Sequence, residues 1–544
     1  MNIELPPIPD EQRTPLLEHL LVIIDRLVQR VRELEKTNRE ARDENAVLKG
    51  LKAKPKIAPS KLETPLAPKP LGPGEKRPGS DKRSKTIELT IHDRMPLHIP
   101  DAELPAGAVF IGYEPYTVQE IVVETRNTCY MRARYRLPDG TTVLTPLPND
   151  VPAGSHFGAT LIAHILHQYH HNHVTQPLLL EDLRAHGIDI SAGQLNNILT
   201  ENKEAFHQEK AAVLTAGLQT ADYIGVDDTG ARHRGRNGYC THIGNDLFAY
   251  FQSTDSKSRV NFLQVLRGLH TDYVINAAAR TYWEEQELAQ AVADKLSQEG
   301  DQRHYADEPA WQRRLHELAI TSERHVRIAT EGALLGSLIE HGLSPQLVVL
   351  SDGAGQFNIL EHAACWIHAE RPLARMIPYS DAHRQAIERK REEIWKLYQD
   401  LKAYQKQPAS AQKPVLEACF DALVDEKTGF PSIDTVLKTM REHKTDLLRV
   451  LEHPAVPLHN NGSESDIRDY VKKRKISGST RSEAGRRCRD TFASLKKTCR
   501  KLGVKFWDYL RDRLRGLNKI PGLAELIRHK AAEKQANKVE AVPS

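Results

Sequence analysis

DYIGVDD (222–228), GYCTHIG (238–244) and LFAYFQS (247–253) follow one another as three short apolar runs separated by turn residues, and QLVVLSD (346–352) adds a fourth. The first three read as successive antiparallel strands, Ser256–Gly268 as a helix, and the fourth, apolar through its interior, as a buried parallel strand. Two of these strands end in acids: Asp227 closes YIGV, and Asp352 closes LVVLS before Gly353. As neighbours in one sheet, they would bring both carboxylates to the edge where active sites of open α/β sheets collect.

Three antiparallel strands, a helix and a parallel strand make the opening of a ribonuclease-H-like core. A third acid, Glu464, lies in HNNGSESDIRDYVKKRK (459–475), where Asn460 and Ser463 are candidate helix caps and Ile467, Tyr470 and Val471 share an apolar side. Asp228 and Asp466 are competing acids, ranked lower. Converging carboxylates suit a hard cation such as Mg2+ or Mn2+, which takes oxygen ligands and keeps several waters. Two such ions, about 3.5–4 Å apart, serve phosphodiester cleavage. Acids at strand ends also act as turn or helix caps, and for each residue that reading stands beside the metal-binding one.

At 544 residues the chain is long enough for several modules, each with a core of its own. Mean hydropathy is −0.53 and no window approaches an uninterrupted membrane span, so no membrane partner is expected. The start MNIELPPIPDEQR does not read as a secretion signal, and six cysteines without a CxxC pair suit a reducing compartment. A cytoplasmic, nucleoid-associated protein is the expectation. Residues 471–501 hold twelve Lys and Arg against two acids, a density that attracts phosphates; a solvated charged face is the alternative. Arg468, Lys472, Lys473, Arg474, Lys475, Ser479, Thr480 and Arg481 are the DNA-binding candidates, with Arg474 and Lys475 preferred.

Outward from the core, residues 1–51 read as a coiled-coil segment: Leu20, Leu27, Leu34, Ala41 and Leu48 recur every seven positions, with Ile24, Val31, Asn38 and Asn45 between them. This pattern over 16–51 predicts a parallel homodimer; one amphipathic helix packed on its own domain is the other reading. Residues 52–85 are a disordered, basic, Pro-rich linker, and 86–150 a small β-rich module with strands in TIELTI, AVFIGY, QEIVVET and YMRARYRL. Residues 151–220 are helical. Within them 175–199 reads as a helix-turn-helix, either for DNA or as a plain packing unit. The catalytic core takes 221–515, with helical insertions near 277–340 and 381–452, and 516–544 is a C-terminal tail. The fold class is therefore multidomain α/β.

VDDT (226–229), LSDGAGQF (350–357) with CWIHAER (365–371), and NNGSE (460–464) with RK (474–475) and GST (478–480) resemble, in order and surroundings, transposases of the insertion sequence 66 family. The resemblance runs from about residue 155 to 515. It implies a DDE-type enzyme that cuts at transposon ends and joins the freed 3′ hydroxyls to target DNA, with Asp227, Asp352 and Glu464 as metal ligands for Mg2+ or Mn2+. It also leaves room for element-encoded accessory proteins. The chain departs from the family at Asp228 and Gly230, where Glu and Pro are usual, at Glu370, where a base is commoner, and in having only Cys129 where many members carry a cysteine-rich segment. Cys365, His368 and His362 suggest either a zinc site or, preferred, a structural role near the acids. Asn460 and Asn461 either cap the helix of Glu464 or hold phosphate, capping being preferred. A noncatalytic DNA-binding regulator and a nuclease without strand transfer are the rival functions.

Overall fold

A computed structural model of the chain describes residues 90–105, 107–148, 151, 155–298 and 303–540, with eleven positions between 20 and 34. Most of the heptad stretch 16–51 and all of the linker 52–85 lie outside the described residues. The described positions there are helical, and Leu20, Leu27 and Leu34 are exposed. Among the described residues no helix is long and apolar enough to cross a membrane.

The region 90–148 differs from expectation. Among its described residues the strands are β1 (Arg134–Arg136) and β2 (Thr142–Leu144), a short antiparallel hairpin on either side of the PDG turn. β1 lies within the run YMRARYRL, TIELTI falls largely outside the described residues, and the runs AVFIGY and QEIVVET form no ladder among the described residues; Ile111, Tyr116, Ile121 and Met131 stand 89–98% exposed. Strand propensity fails there because no second sheet or helix covers those side chains, and an unpaired strand leaves its amides to water.

Helices Ala159–His170, Gln176–Ala185, Ala192–Thr200 and Glu204–Thr220 follow. The two helices read within 175–199 are the second and third of these. Gly187 turns between them at φ +78°, and Ser191 and Gln194 form a reciprocal capping box at the start of the third. Their buried leucines, Leu179, Leu183, Leu195 and Leu199, join the main core.

The central sheet contains β3 (Tyr223–Gly230), β4 (Tyr239–Gly244) and β5 (Ala249–Thr254), then β8 (Val348–Ser351) and β9 (Glu361–Ala364). A separate ribbon pairs β6 (Tyr273–Ile275) with β7 (Arg303–Tyr305). The spatial order is β5-β4-β3-β8-β9; β3, β4 and β5 are antiparallel, while β8 and β9 run parallel to β3. Side chains alternate between faces. Ile224, Val226, Ile243, Tyr250 and Val349 enter the main core; Cys240, Ala249 and Phe251 meet Ile467 and Tyr470 of the helix Asn461–Ser477 on the opposite face.

The free edge of β5 is closed by side chains. Its outward N–H groups at Ala249, Phe251 and Ser253 donate to Thr498 Oγ1 (3.1 Å), Ser494 Oγ (2.9 Å) and Asp490 Oδ2 (2.7 Å), acceptors spaced four residues apart along the helix Glu483–Lys501. A helix rises about 6 Å over four residues and a strand nearly 7 Å over two, so the two ladders keep step over this span. An exposed edge is thereby removed.

The insertion at 381–452 is helical and owns a second core, in which Phe420, Leu401, Ile433 and Leu437 are almost wholly buried. The described residues of the insertion at 277–340 form helices and β7, and Trp283 and Trp311 belong to the main core. The expected C-terminal tail is instead a helix, Leu523–Glu540, whose Leu523, Ile527 and Ala531 pack into the main core. That narrow stripe of three residues at i, i+4 and i+8 is easily lost among the surrounding charges.

Replacing Ser494 by Ala strands the buried Phe251 N–H, and a loss of about 1–3 kcal/mol is expected in urea unfolding, against almost none for Ala at exposed Arg500. Equal midpoints for the two variants would refute the role assigned to this edge.

Candidate active site

Asp227 points to the same face of β3 as Gly225, the face covered by the helix Asn461–Ser477. The β3–β8 ladder ends at Gly225↔Leu350, and Asp227 and Asp352 each lie two residues beyond that pair. Val348 and Leu350 share a small cluster with Tyr223, so alternation carries Asp352 to the face of Gly225 and Asp227. Neighbouring strands are about 4.8 Å apart, which brings the two acids to one edge as the strand ends suggested.

Glu464 reaches the same place because nothing but hydrogen stands at position 225. A Cβ there would sit 2.6 Å from Ser463 Oγ and 2.8 Å from Asn460 Oδ1. Asn460 does not cap the helix; its Nδ2 donates to the Val226 carbonyl (2.7 Å), and its own N–H points to Cys365 Sγ (3.4 Å). The capping expectation is corrected here: the buried carbonyl past the ladder's end claims the amide first.

The electrostatics follow from this convergence. Burial pushes the Asp227 carboxyl up to about 7, helped by the charges of Asp352, Glu464 and Asp228 and opposed by the hydrogen bond from the Asp228 N–H (2.7 Å). Among the described ion pairs, neither Asp227 nor Asp352 has a cationic partner, whereas Glu464 meets Arg468 (3.3 Å), Arg371 (3.7 Å) and His368 (3.9 Å). Arg371 also donates to His368 Nε2 (2.7 Å), and burial followed by that guanidinium lowers the histidine's proton affinity. An all-oxygen donor set in which two of three carboxylates lack a cationic partner among the described ion pairs fits a divalent cation better than it fits a structural ion-pair network.

The competing acids are engaged elsewhere. Asp228 faces the other side of the sheet, where it accepts from Thr241 Oγ1 (2.6 Å) and Gln356 Nε2 (3.1 Å). Asp466 is buried among His242 (3.3 Å), Lys497 (3.5 Å) and Lys501 (2.9 Å); although burial pushes its carboxyl up, these partners hold it well below the usual range. The three suggested zinc donors also diverge. His362 bonds Ser351 Oγ (2.8 Å) and Asp446 (3.1 Å), Cys365 faces Asn460, and His368 faces Glu464. Glu370 is 1% exposed and paired with Arg391, so it ties the helix Trp366–Arg375 to the second insertion.

The basic tract divides into two groups. Arg468, Lys472 and Lys475 are exposed at i, i+4 and i+7, a stripe leading away from Glu464, and Arg474 lies with NH1 3.4 Å from where a Gly230 Cβ would be. Arg481 is exposed and Ser479 half-buried. Lys473 is not a surface group: it is 5% exposed, donates to the Tyr169 carbonyl (2.7 Å) and sits over the Tyr169 ring, with its ammonium lowered to about 7 by burial, Arg489 and Lys496. Thr480 is buried and bonded to His233 Nδ1 (2.8 Å). Arg489, Lys496 and Lys497 are buried as well, so much of the charge in 471–501 serves the interior.

A second basic segment was not singled out in the sequence. The β3–β4 turn carries Arg232, Arg234 and Arg236, all exposed, and docks on the 478–481 segment through Arg234 N–H to Thr480 O (2.8 Å) and Thr480 N–H to Arg232 O (3.2 Å). With Arg474, Lys475 and Arg481 it forms one positive surface beside the end of β3.

The family model described as Transposase IS66 family matches residues 154–295 and 338–487, more than half of the chain. This chain belongs to that family. It is also 41% identical over 323 residues, 59% of its own length and 100% of the other's, to "Uncharacterized protein y4jO" of Sinorhizobium fredii (strain NBRC 101917 / NGR234). All three candidate acids fall inside the span matched by the IS66 family model. The unmatched residues 296–337 fall within the first helical insertion of this IS66 family member.

The folded IS66-family chain keeps the Asp227 proton up to about pH 7, while an unfolded chain releases it near pH 4, so folding is penalised progressively as pH rises through that window. Asp227→Asn removes the penalty. Its melting temperature is expected to exceed that of the wild type most above pH 7, the gain vanishing toward pH 4 and reversing at pH 8 when a divalent cation is added. A pH-independent difference between the two proteins would contradict this.

Proposed function

We propose that this chain is a metal-dependent DNA transposase of the DDE type, cutting at transposon ends and joining the freed 3′ hydroxyls to target DNA. Asp227, Asp352 and Glu464 are the metal ligands in this reading, and the five-stranded sheet is a ribonuclease-H-like core. The observation that carries it is the meeting, on one face and at one edge, of three carboxylates from segments 125 and 112 residues apart, two of them without a cationic partner among the described ion pairs. Family membership supports the same conclusion.

Divalent ions, Mg2+ or Mn2+ and two in number, supply activation of the attacking oxygen and stabilisation of the leaving one. The protein's own groups do the rest. Asp227, Asp352 and Glu464 offer oxygens from three directions, and Arg371 with Arg468 keeps the Glu464 carboxylate oriented while leaving it partly exposed. His368, its proton affinity lowered by burial and by Arg371, stands beside the Glu464 carboxylate. Arg468, Lys472 and Lys475, with Arg474, Arg481 and the arginines of the β3–β4 turn, bind phosphates along the path to the acids. The helical pair 176–200 holds element ends, and the heptads of 16–51 pair two protomers so that two ends are held together.

Cleavage and strand transfer on a duplex carrying the element end, with Mg2+, test the reading. Asp227→Asn, Asp352→Asn and Glu464→Gln are each expected to lower both steps by at least a thousandfold while DNA binding persists. Unaltered chemistry in all three would remove the catalytic assignment, and cutting without joining would make the chain a nuclease. In DNA-binding titrations, replacing Arg474 and Lys475 by Ala should weaken affinity and reduce the salt slope by about two, whereas Lys473→Ala should lower the melting temperature and leave the slope unchanged. Equal slopes for both would move the phosphate contacts elsewhere.

A further inference from the structure

At the base of the first insertion His270, Asp272 and His341 come together with one donor atom each inside 4.8 Å of the others. They come from three elements: His270 follows the helix Arg259–Arg267, Asp272 precedes β6, and His341 ends the helix Glu323–Glu340. Arg259, at the start of the first helix, donates to the carbonyl of Gly355, three residues past Asp352. That helix of nine residues spans about 13 Å, so His270 lies at its other end, away from the catalytic edge.

We propose that His270, Asp272 and His341 form a site for a borderline transition-metal cation, Zn2+ before others, which pins the insertion to the core. His341 Nε2 lies 3.0 Å from both Asp272 oxygens, close to the roughly 3.3 Å separating two ligands of one tetrahedral zinc. The His270 and His341 rings stack with centroids 3.5 Å apart, so a turn of one ring about its χ2 bond aims both nitrogens at one ion. Ser337 Oγ donates to Asp272 Oδ1 (3.0 Å), the kind of outer hydrogen bond that orients a carboxylate ligand. Nearby Arg267 is turned to the Asp272 backbone carbonyl (2.6 Å) and the face of Tyr273 and not to the Asp272 carboxylate. His304 on β7 lies alongside, with Nδ1 3.9 Å from Asp272 Oδ2. Imidazole with a single carboxylate selects zinc over the hard ions suited to the catalytic acids. A site of this kind joins the start of β6 to the end of the long insertion helix, at the base of an insertion much of which lies outside the family match.

The test uses the full chain, stripped of metal and held in excess Mg2+ so that the carboxylate site does not compete. Zn2+ is titrated by calorimetry, and Co2+ by its visible absorption, into the wild type, His270→Ala/His341→Ala, and the milder His341→Gln. The wild type is expected to bind one more ion per chain than the double variant, to show the intense bands of four-coordinate cobalt, and to melt several degrees higher with Zn2+. His341→Gln, with an unaltered near-ultraviolet circular dichroism spectrum, is expected to bind at least tenfold more weakly. Equal stoichiometry and affinity in all three proteins would overturn the site, whatever the outcome of the strand-transfer assays, since none of these residues belongs to the proposed catalytic group.

Discussion

The hydrogen bond from Asn460 Nδ2 to the Val226 carbonyl joins residues 234 positions apart, and it is possible only because Gly225 leaves room for Asn460 and Ser463 against β3. Both partners are buried, so neither finds water as a substitute, and losing one leaves a stranded polar group worth about 1–3 kcal/mol. The consequence is geometric more than energetic. With the start of the helix fixed one residue from Asp227, its fourth residue, Glu464, has no choice but to face the two strand-end acids. Three carboxylates that repel one another are thus brought together by an uncharged hydrogen bond, and among the described ion pairs Arg371 and Arg468 are the guanidiniums that meet them, both at Glu464.

The second insertion strengthens the same arrangement. The chain leaves the core after the helix Trp366–Arg375 and returns at Leu458, whose carbonyl accepts from Trp366 N–H (3.0 Å), while the Trp366 indole donates to Leu447 O (2.8 Å). Cys365, next to that tryptophan, receives the N–H of Asn460. An insertion with its own apolar core therefore acts as a rigid spacer whose two ends are stitched side by side, and Asp352 and Glu464 remain neighbours despite the residues between them.

Much of this was legible in the sequence because it rests on periodicity and on strand ends. The runs around 224, 241, 250 and 349 alternate or stay apolar as sheet strands must, and the acids closing two of them stand out against that background. What escaped depends on long-range pairing. Lys473, Arg489, Lys496 and Lys497 look like surface charge in a linear count, yet each is buried against a carbonyl or a carboxylate from another segment of the chain. Asp490, Ser494 and Thr498 read as polar helix positions and turn out to replace the missing neighbour of β5. Arg232, Arg234 and Arg236 gain meaning only when the turn bearing them docks on residues some 245 positions later. In 90–148 the error ran the other way, since β-prone side chains predict strands only where a partner covers them.

The most direct measurement of the central claim is metal-directed cutting of the polypeptide itself. Fe2+ takes the place of Mg2+ in oxygen-ligand sites, and with ascorbate and peroxide it breaks the backbone within a few ångströms of where it binds. Cuts clustered near Asp227, Asp352 and Glu464, suppressed by excess Mg2+ and absent in Asp227→Asn, are expected if these three acids share one cation site. Cuts confined to other segments, or a pattern unchanged by Asp227→Asn, would contradict it.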